Sequence, residues 1–155
     1  MRKRAYFITL AMVGGLALAP AFFSGPAFAV DDDSSTGSVD LTSVRAKIEA
    51  KNYKGALDEL RDLAEDNQQA DVYNLMGYTL RKTGDFTTSL TYYNKALSLQ
   101  PDYKPAHEYL GELYLQTGDM AKAKEQLAAL EKLCPSGCEE REDLEKAIST
   151  GAAID

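Results

Sequence analysis

Two cysteines near the C-terminal end of the sequence form its most chemically suggestive local motif. Cys134 and Cys138 are separated by Pro-Ser-Gly, so three residues lie between them. A redox couple normally has two intervening residues within an alternating strand and helix pattern, and this sequence shows neither feature. A metal site would need more ligands, but the sequence has no other cysteine and only one histidine. We therefore predict a structural disulfide between these cysteines, with free thiols, catalysis or metal binding as the alternatives.

Two glutamates and the single histidine are the other residues whose types could support catalysis. Glu108 and Glu112 stand one helical turn apart, and paired carboxylates cleave glycosides in some enzymes. That chemistry requires an enclosing cleft and a raised pKa, which spacing alone does not indicate. His107 lacks the partners of a triad or a metal site, so we predict that it packs in the core. The sequence thus favours a protein that is not an enzyme and that needs no metal or cofactor.

His107, Glu108 and Glu112 lie in a part of the sequence that repeats every thirty-four residues. Thr-Gly-Asp-Phe at 83–86 returns as Thr-Gly-Asp-Met at 117–120, and Gly77 returns in the same phase as Gly111. A fixed period of this length is typical of solenoids, in which each small unit buries its apolar face against the next unit.

Each repeat is predicted to contain two helices joined by a tight turn. Apolar and small residues recur at three- and four-residue spacing from Tyr73 to Leu80, which predicts the first helix. Gly84 can end that helix in a left-handed conformation, and Asp85 can cap the next one. The second helix is predicted to end before Pro101, because proline cannot continue a helical hydrogen-bond ladder.

The repeat resembles the tetratricopeptide repeat over residues 70–135. Both have an early aromatic residue, a Leu-Gly-like pair, a tyrosine, a later alanine and a closing proline in the same order. The resemblance implies an all-α fold for residues 40–151, a right-handed α-solenoid of helix-turn-helix hairpins. It would comprise about three repeats, the first degenerate, and a capping helix within Glu139–Ser149. Gly77 and Gly111 are expected where paired helices approach most closely.

The N-terminal part of the sequence predicts export. Residues 1–29 have the three parts of a signal peptide: a basic start, an apolar run from Ala5 to Ala19, and Ala27-Phe28-Ala29 at the cleavage site. We predict cleavage after this triplet and a periplasmic or secreted product, with a retained membrane anchor as the alternative. Residues 30–39 are acidic and rich in serine, which predicts a disordered tether.

The charge of the chain limits the class of partner. The sequence has 24 acidic and 17 basic residues and a net charge of −7. Loss of Arg2, Lys3 and Arg4 with the signal peptide would lower the net charge to about −10. This balance argues against nucleic acid and anionic membrane surfaces, which attract basic proteins. A protein or peptide partner is favoured.

The resemblance also implies where a partner would bind. In tetratricopeptide repeats, the first helix of each hairpin lines a concave groove. We expect the exposed face of this helix to form the binding surface here. Its residues are Arg45, Asn74, Tyr78, Arg81, Glu108, Glu112, Leu115 and Gln116.

Some members of the family hold a C-terminal carboxylate in this groove. The corresponding positions here would offer only Arg45 as an anion-binding side chain, so a carboxylate-ended client is not favoured. These positions are Leu41, Arg45, Leu75, Pro105 and Tyr109.

Together these observations predict a non-catalytic adaptor or scaffold of the bacterial cell envelope. It would bind a peptide segment or helix of a client protein. The alternatives are a self-associating assembly subunit and an exported thiol redox protein that uses Cys134 and Cys138.

Overall fold

The computed structural model describes residues 38–151, which form helices and short connections. The predicted signal peptide and nearly all of the predicted tether lie outside these residues. None of the described helices is both long and apolar enough to cross a membrane. The helices are α1 (Thr42–Glu49), α2 (Tyr53–Asp66), α3 (Ala70–Lys82), α4 (Phe86–Leu99), α5 (Lys104–Gln116), α6 (Met120–Leu133) and α7 (Glu139–Thr150).

The first six of these helices pack as three successive hairpins. Helix α1 packs on α2, α3 on α4 and α5 on α6, while α2 contacts α3 and α4 contacts α5. Helix α7 packs against both α5 and α6 at the end of the array. The predicted all-α solenoid of three hairpins and a capping helix is confirmed.

The turns inside the hairpins require a left-handed residue at one position. Gly84 has φ 85° and Gly118 has φ 83°, as the repeated Thr-Gly-Asp sequence predicts. The first hairpin has Lys51 at this position, with φ 56°. A side chain in this conformation costs roughly 1 kcal/mol more than glycine does. The lysine in place of glycine at this turn is one structural feature that makes the first repeat degenerate.

The same turns supply the caps of the second helices. Asp85 accepts a hydrogen bond from the backbone N–H three residues later at 3.1 Å, and Asp119 does the same at 3.1 Å. Asn52 caps α2 in the same way at 3.1 Å. These bonds satisfy backbone donors that have no partner within the helix, so all three second helices begin at a defined residue.

Gly77 and Gly111 both lie at close helix contacts. A Cβ atom on Gly77 would stand 2.7 Å from the ring of Tyr93 in α4, the helix paired with α3. A Cβ atom on Gly111 would stand 2.6 Å from the side chain of Leu144 in α7. The close neighbour of Gly111 is therefore the capping helix rather than α6, the second helix of its own hairpin.

Candidate functional site

A cavity of about 180 Å³ opens between the first helices of the three hairpins. Every residue around it belongs to α1, α3 or α5, the helices that line the groove in the resembled family. These residues are Arg45, Ile48 and Glu49 on α1, Leu75 and Tyr78 on α3, and Tyr109 on α5.

The cavity combines an apolar wall with a polar rim. Ile48 is half-buried and Leu75 is buried, so they present aliphatic surface. Tyr78 and Tyr109 are half-buried, with ring centroids 5.2 Å apart and ring planes inclined by 50°. The exposed Arg45 on α1 carries a charge at the mouth. Such a cavity can hold an apolar side chain while polar groups fix its orientation.

A buried ion pair lies beside the two tyrosines of the cavity. The Arg81 guanidinium in α3 stands 2.6 Å from the Glu112 carboxylate in α5, and at most 1% of either side chain is exposed. The same guanidinium lies 5.5 Å from the ring centroid of Tyr78 and 5.8 Å from that of Tyr109. Ion pairing and cation–π contacts thus hold Arg81 between α3 and α5.

Tyr93 of α4 completes this buried cluster. Its side chain is fully buried, and its ring centroid lies 6.4 Å from that of Tyr109. Burial raises the pKa of the Tyr93 hydroxyl, so the phenol stays neutral beside Arg81. The cluster joins α3, α4 and α5 directly behind the cavity and fixes the positions of the rings that line it.

Glu108 is a second buried carboxyl group, one turn before Glu112. Only 9% of the residue is exposed. Burial, followed by the negative charges of Glu112, Asp143 and Glu140 in that order, raises the pKa of its carboxyl group to about 8. Glu108 is therefore mostly protonated at neutral pH, whereas Glu112 is charged and paired with Arg81.

The stability of the protein should depend on pH through Glu108. Its carboxyl pKa is about 8 in the fold and 4.5 ordinarily, so the folded chain holds this proton more tightly. The resulting stability is present below pH 4.5 and is lost as pH rises through about 8. Glu108→Gln removes this titration. The change that it causes in the free energy of unfolding should therefore be roughly 1–3 kcal/mol more stabilising at pH 8.5 than at pH 5.

Urea denaturation of both proteins at the two pH values measures this difference. Glu142→Gln, an exposed change on α7, is the control. A Glu108→Gln effect that is the same at pH 5 and pH 8.5 would contradict the raised pKa.

The structure corrects half of the predicted groove face. Helix α3 packs on α5, and α5 packs on α7. The sides of α3 and α5 that were assigned to solvent are therefore partly covered by the helix that follows in the array. The predicted groove residues that are buried instead are Asn74, Arg81, Glu108 and Glu112.

The other predicted groove residues remain accessible, and their role in binding stays a prediction. Arg45 and Gln116 are exposed, while Tyr78 and Leu115 are half-buried. Only Arg45 and Tyr78 of the eight line the cavity. Leu115 and Gln116 belong to the last turn of α5 and are not part of its wall.

Three apolar or aromatic residues of the cavity are not predicted as binding residues from the sequence. Leu75 and Tyr109 occupy equivalent positions one repeat apart, but they were considered only as sites lacking an anion-binding side chain. No binding role is predicted for Ile48 from the sequence. The apolar and aromatic residue types at these positions are the sequence signal that could have identified the lining of the cavity.

His107 is not a core residue, contrary to the prediction. It is half-buried, and its Nε2 atom lies 2.9 Å from the carbonyl oxygen of Pro101, to which it donates. Its Nδ1 atom lies 2.8 Å from the side-chain amide of Gln126 in α6. A polar ring can occupy this aromatic position because two hydrogen-bonding groups surround it. Within residues 38–151, no cluster of three or more potential ligands could hold a metal ion.

The two cysteines lie in the connection between α6 and α7. Their sulfur atoms are within disulfide-bonding distance, and their Cα atoms are 6.0 Å apart. Cys134 is buried and Cys138 is half-buried. The pair is placed where a crosslink would restrain the start of the capping helix.

We expect Cys134 and Cys138 to be joined within one chain in the native protein. Thiol labelling of the denatured protein should then occur only after reduction. Reduction should leave the helical circular dichroism nearly unchanged, since so short a loop contributes only roughly 2 kcal/mol. Equal labelling with and without reductant would show free thiols.

Comparisons with known proteins identify similar sequences. Residues 80–133 match the family model described as tetratricopeptide repeat. A relative from Guillardia theta, the uncharacterized protein ycf37, is 32% identical over 74 residues. The match covers 48% of this chain and 41% of the relative, so the chain spans about two fifths of its length.

Two solved structures share the fold. The first tetratricopeptide repeat domain of Spaghetti (RPAP3), bound to the HSP90 peptide SRMEEVD, has a TM-score of 0.61 at 18% identity. The match covers 70% of this chain and 86% of that one. The Yersinia enterocolitica type III secretion chaperone SycD, in complex with a peptide of the translocator YopD, has a TM-score of 0.61 at 16% identity. That match covers 71% of this chain and 84% of SycD.

Proposed function

We propose that this chain, a helical-hairpin solenoid with a tetratricopeptide repeat match over residues 80–133, is a non-catalytic protein-interaction adaptor. Its client contributes a peptide segment or helix that binds the cavity between α1, α3 and α5. The observation that carries the proposal is the solvent-open lining of this cavity by apolar and aromatic side chains from three successive hairpins. Exposing such an apolar surface to water is unfavourable, so its burial under a client side chain stabilises the complex.

The cavity walls suit peptide recognition. Tyr78 and Tyr109 are amphipathic rings with few rotatable bonds, so they lose little conformational entropy when a ligand packs on them. The ion pair of Arg81 with Glu112 holds both rings in place before binding. The side chains of a preorganised site lose less conformational entropy when the client binds.

Two further observations support a binding role without catalysis. Glu112, one of the two carboxylates that could have acted as a catalytic pair, is buried against Arg81. Both similar solved structures are described with a bound peptide, one from HSP90 and one from YopD. Placement in the bacterial cell envelope is part of the proposal and rests on the predicted signal peptide.

Tyr78→Ala should weaken peptide binding at least about ten-fold, because it removes one aromatic wall of the cavity. The probe is a peptide selected from a randomised display library on the purified chain, and fluorescence anisotropy measures its Kd. Tyr114→Ala is the matched control, since Tyr114 is also a half-buried tyrosine of the first helices but lies outside this cavity.

Thermal melts establish that both variants are folded at the assay temperature. Equal affinity of Tyr78→Ala and Tyr114→Ala for the selected peptides would reject the cavity as the binding site. Failure to select any peptide would reject the proposed adaptor function.

Self-association is the second candidate function. Exposed large apolar side chains occur at equivalent positions of two successive repeats, Phe86 with Met120 and Leu99 with Leu133. A second copy of the chain could cover part of this surface. Sedimentation at several protein concentrations tests this candidate, and a concentration-independent monomer would exclude it.

A further inference from the structure

We propose that the client segment carries a lysine or arginine beside its apolar anchor, and that an acidic wall between α5 and α7 holds this basic side chain. The acidic wall consists of Glu108 on α5 and of Glu140 and Asp143 on α7. The inference rests on the proposed function and specifies the chemistry of its client.

The size of the cavity limits which apolar side chain of the client can serve as its anchor. Its volume is about 180 Å³. An apolar protein cavity of about 150 Å³ is large enough to admit benzene, so one aromatic ring or branched aliphatic side chain fits here. Ile48, Leu75, Tyr78 and Tyr109 give that side chain apolar contacts.

The acidic wall shares helix α5 with the cavity. Tyr109 of α5 lines the cavity, Glu108 immediately precedes it, and α7 packs directly on α5. Glu140 and Asp143 are half-buried on α7, and their negative charges act on the Glu108 carboxyl. In the proposed complex, a segment anchored against Tyr109 places its neighbouring side chain beside these carboxylates.

These carboxylates lack a basic partner of their own. Arg81 is the cation that acts on Glu108, but its guanidinium is paired with Glu112. Glu108 has no hydrogen bond or ion pair with any residue in 38–151, although it is nine-tenths buried. The carboxyl oxygens of Glu108 keep some contact with solvent, so an incoming group can reach them. An ammonium or guanidinium group from the client would give Glu108 the partner that it lacks within the described residues.

The α1 rim of the cavity has a different charge pattern. Exposed Arg45 on α1 stands close to Glu49, so the rim there is close to neutral overall. Charge complementarity thus favours a basic client residue on the α7 side and disfavours an acidic one there.

Binding of the basic side chain should release a proton. Glu108 is mostly protonated at neutral pH because burial and the neighbouring carboxylates raise its pKa to about 8. A cation beside the carboxyl favours the ionised form, so affinity should rise as pH increases toward 8. The groups that face Glu108 are Glu112 and Tyr109 on α5, Arg81 on α3, and Glu140 and Asp143 on α7.

Selection of a randomised peptide library on the purified chain tests the client chemistry. We expect selected peptides to combine an aromatic or branched aliphatic residue with a nearby lysine or arginine. Replacing that basic residue by alanine in a selected peptide should raise Kd about ten-fold. The acidic peptide SRMEEVD, used as a comparison probe, should bind more weakly than the selected peptides.

Variants of the wall identify the residues responsible. Glu108→Gln should remove the pH dependence of affinity between pH 6 and pH 8.5, and Glu140→Gln with Asp143→Asn should weaken the basic peptide about ten-fold. Neither variant should affect the alanine-substituted peptide. Glu142→Gln, an exposed change on α7, is the matched control and should leave all affinities unchanged.

Two outcomes would overturn the inference, and they are distinguishable. Selected peptides that depend on Tyr78 but show no preference for basic residues, or prefer acidic ones, would reject the acidic wall and leave the adaptor function standing. The absence of any selected peptide would reject both.

Discussion

Glu112→Gln is expected to lower the free energy of unfolding by about 3–5 kcal/mol. The change leaves the Arg81 guanidinium buried at 0% side-chain exposure without its counter-charge. Removing one partner of a buried ion pair is costly because the remaining charge has lost both its solvent and its partner. The effect should be among the largest for a single polar residue of this protein.

Urea denaturation at pH 6 measures this change, with Glu108→Gln as the matched control. Both variants replace a buried glutamate of α5 by glutamine, but Glu108 is already protonated, so its variant should lose little or no stability. The double variant Arg81→Met with Glu112→Leu should recover much of the loss, because neither charge remains buried. Equal losses for Glu112→Gln and Glu108→Gln would contradict a structural role of the ion pair.

Gly77→Leu is expected to lower the free energy of unfolding by about 3 kcal/mol or more. A Cβ atom at this position would stand 2.7 Å from the ring of Tyr93, which is fully buried. The ring cannot yield without disturbing its packing against Tyr109 and its contact with Arg81. The larger side chain would therefore force α3 and α4 apart.

Gly111→Leu should also be destabilising, but less so than Gly77→Leu. Its Cβ atom would meet the Leu144 side chain, which is also fully buried. Leu144 belongs to α7, the last helix of the described array, which can shift more easily than α4, a helix held between α3 and α5. Ala121→Leu, at an exposed position of α6, is the control for a small-to-large change on a helix. Thermal melts and urea denaturation that place Gly77→Leu level with this control would remove the evidence for close packing at Gly77.

The local organisation of this protein followed from its sequence. The thirty-four-residue period and the left-handed glycines Gly84 and Gly118 predicted the hairpins, and the structure confirmed them. These features depend on local sterics and on hydrogen bonds between residues three or four apart. They can be read from residue type and spacing, because the chain needs no distant partner to satisfy them.

The burial of the charged residues was decided by the tertiary structure alone. Helical periodicity placed Arg81 and Glu112 on the first helices, where they were assigned to an exposed binding face. An exposed Arg81 would make Arg81→Ala a mild change for stability, whereas the buried ion pair makes a large loss of stability the expected result.

The binding surface itself also required the tertiary structure. Leu75 and Tyr109 line the cavity together, although they lie on different helices and thirty-four residues apart. Periodicity shows on which side of its helix a residue lies. On a first helix, the side that faces the groove is adjacent to the side that contacts the next hairpin, so periodicity alone does not separate the two. The distance and angle between helices determine which residues face solvent and which are covered, and side-chain packing across the whole array sets both.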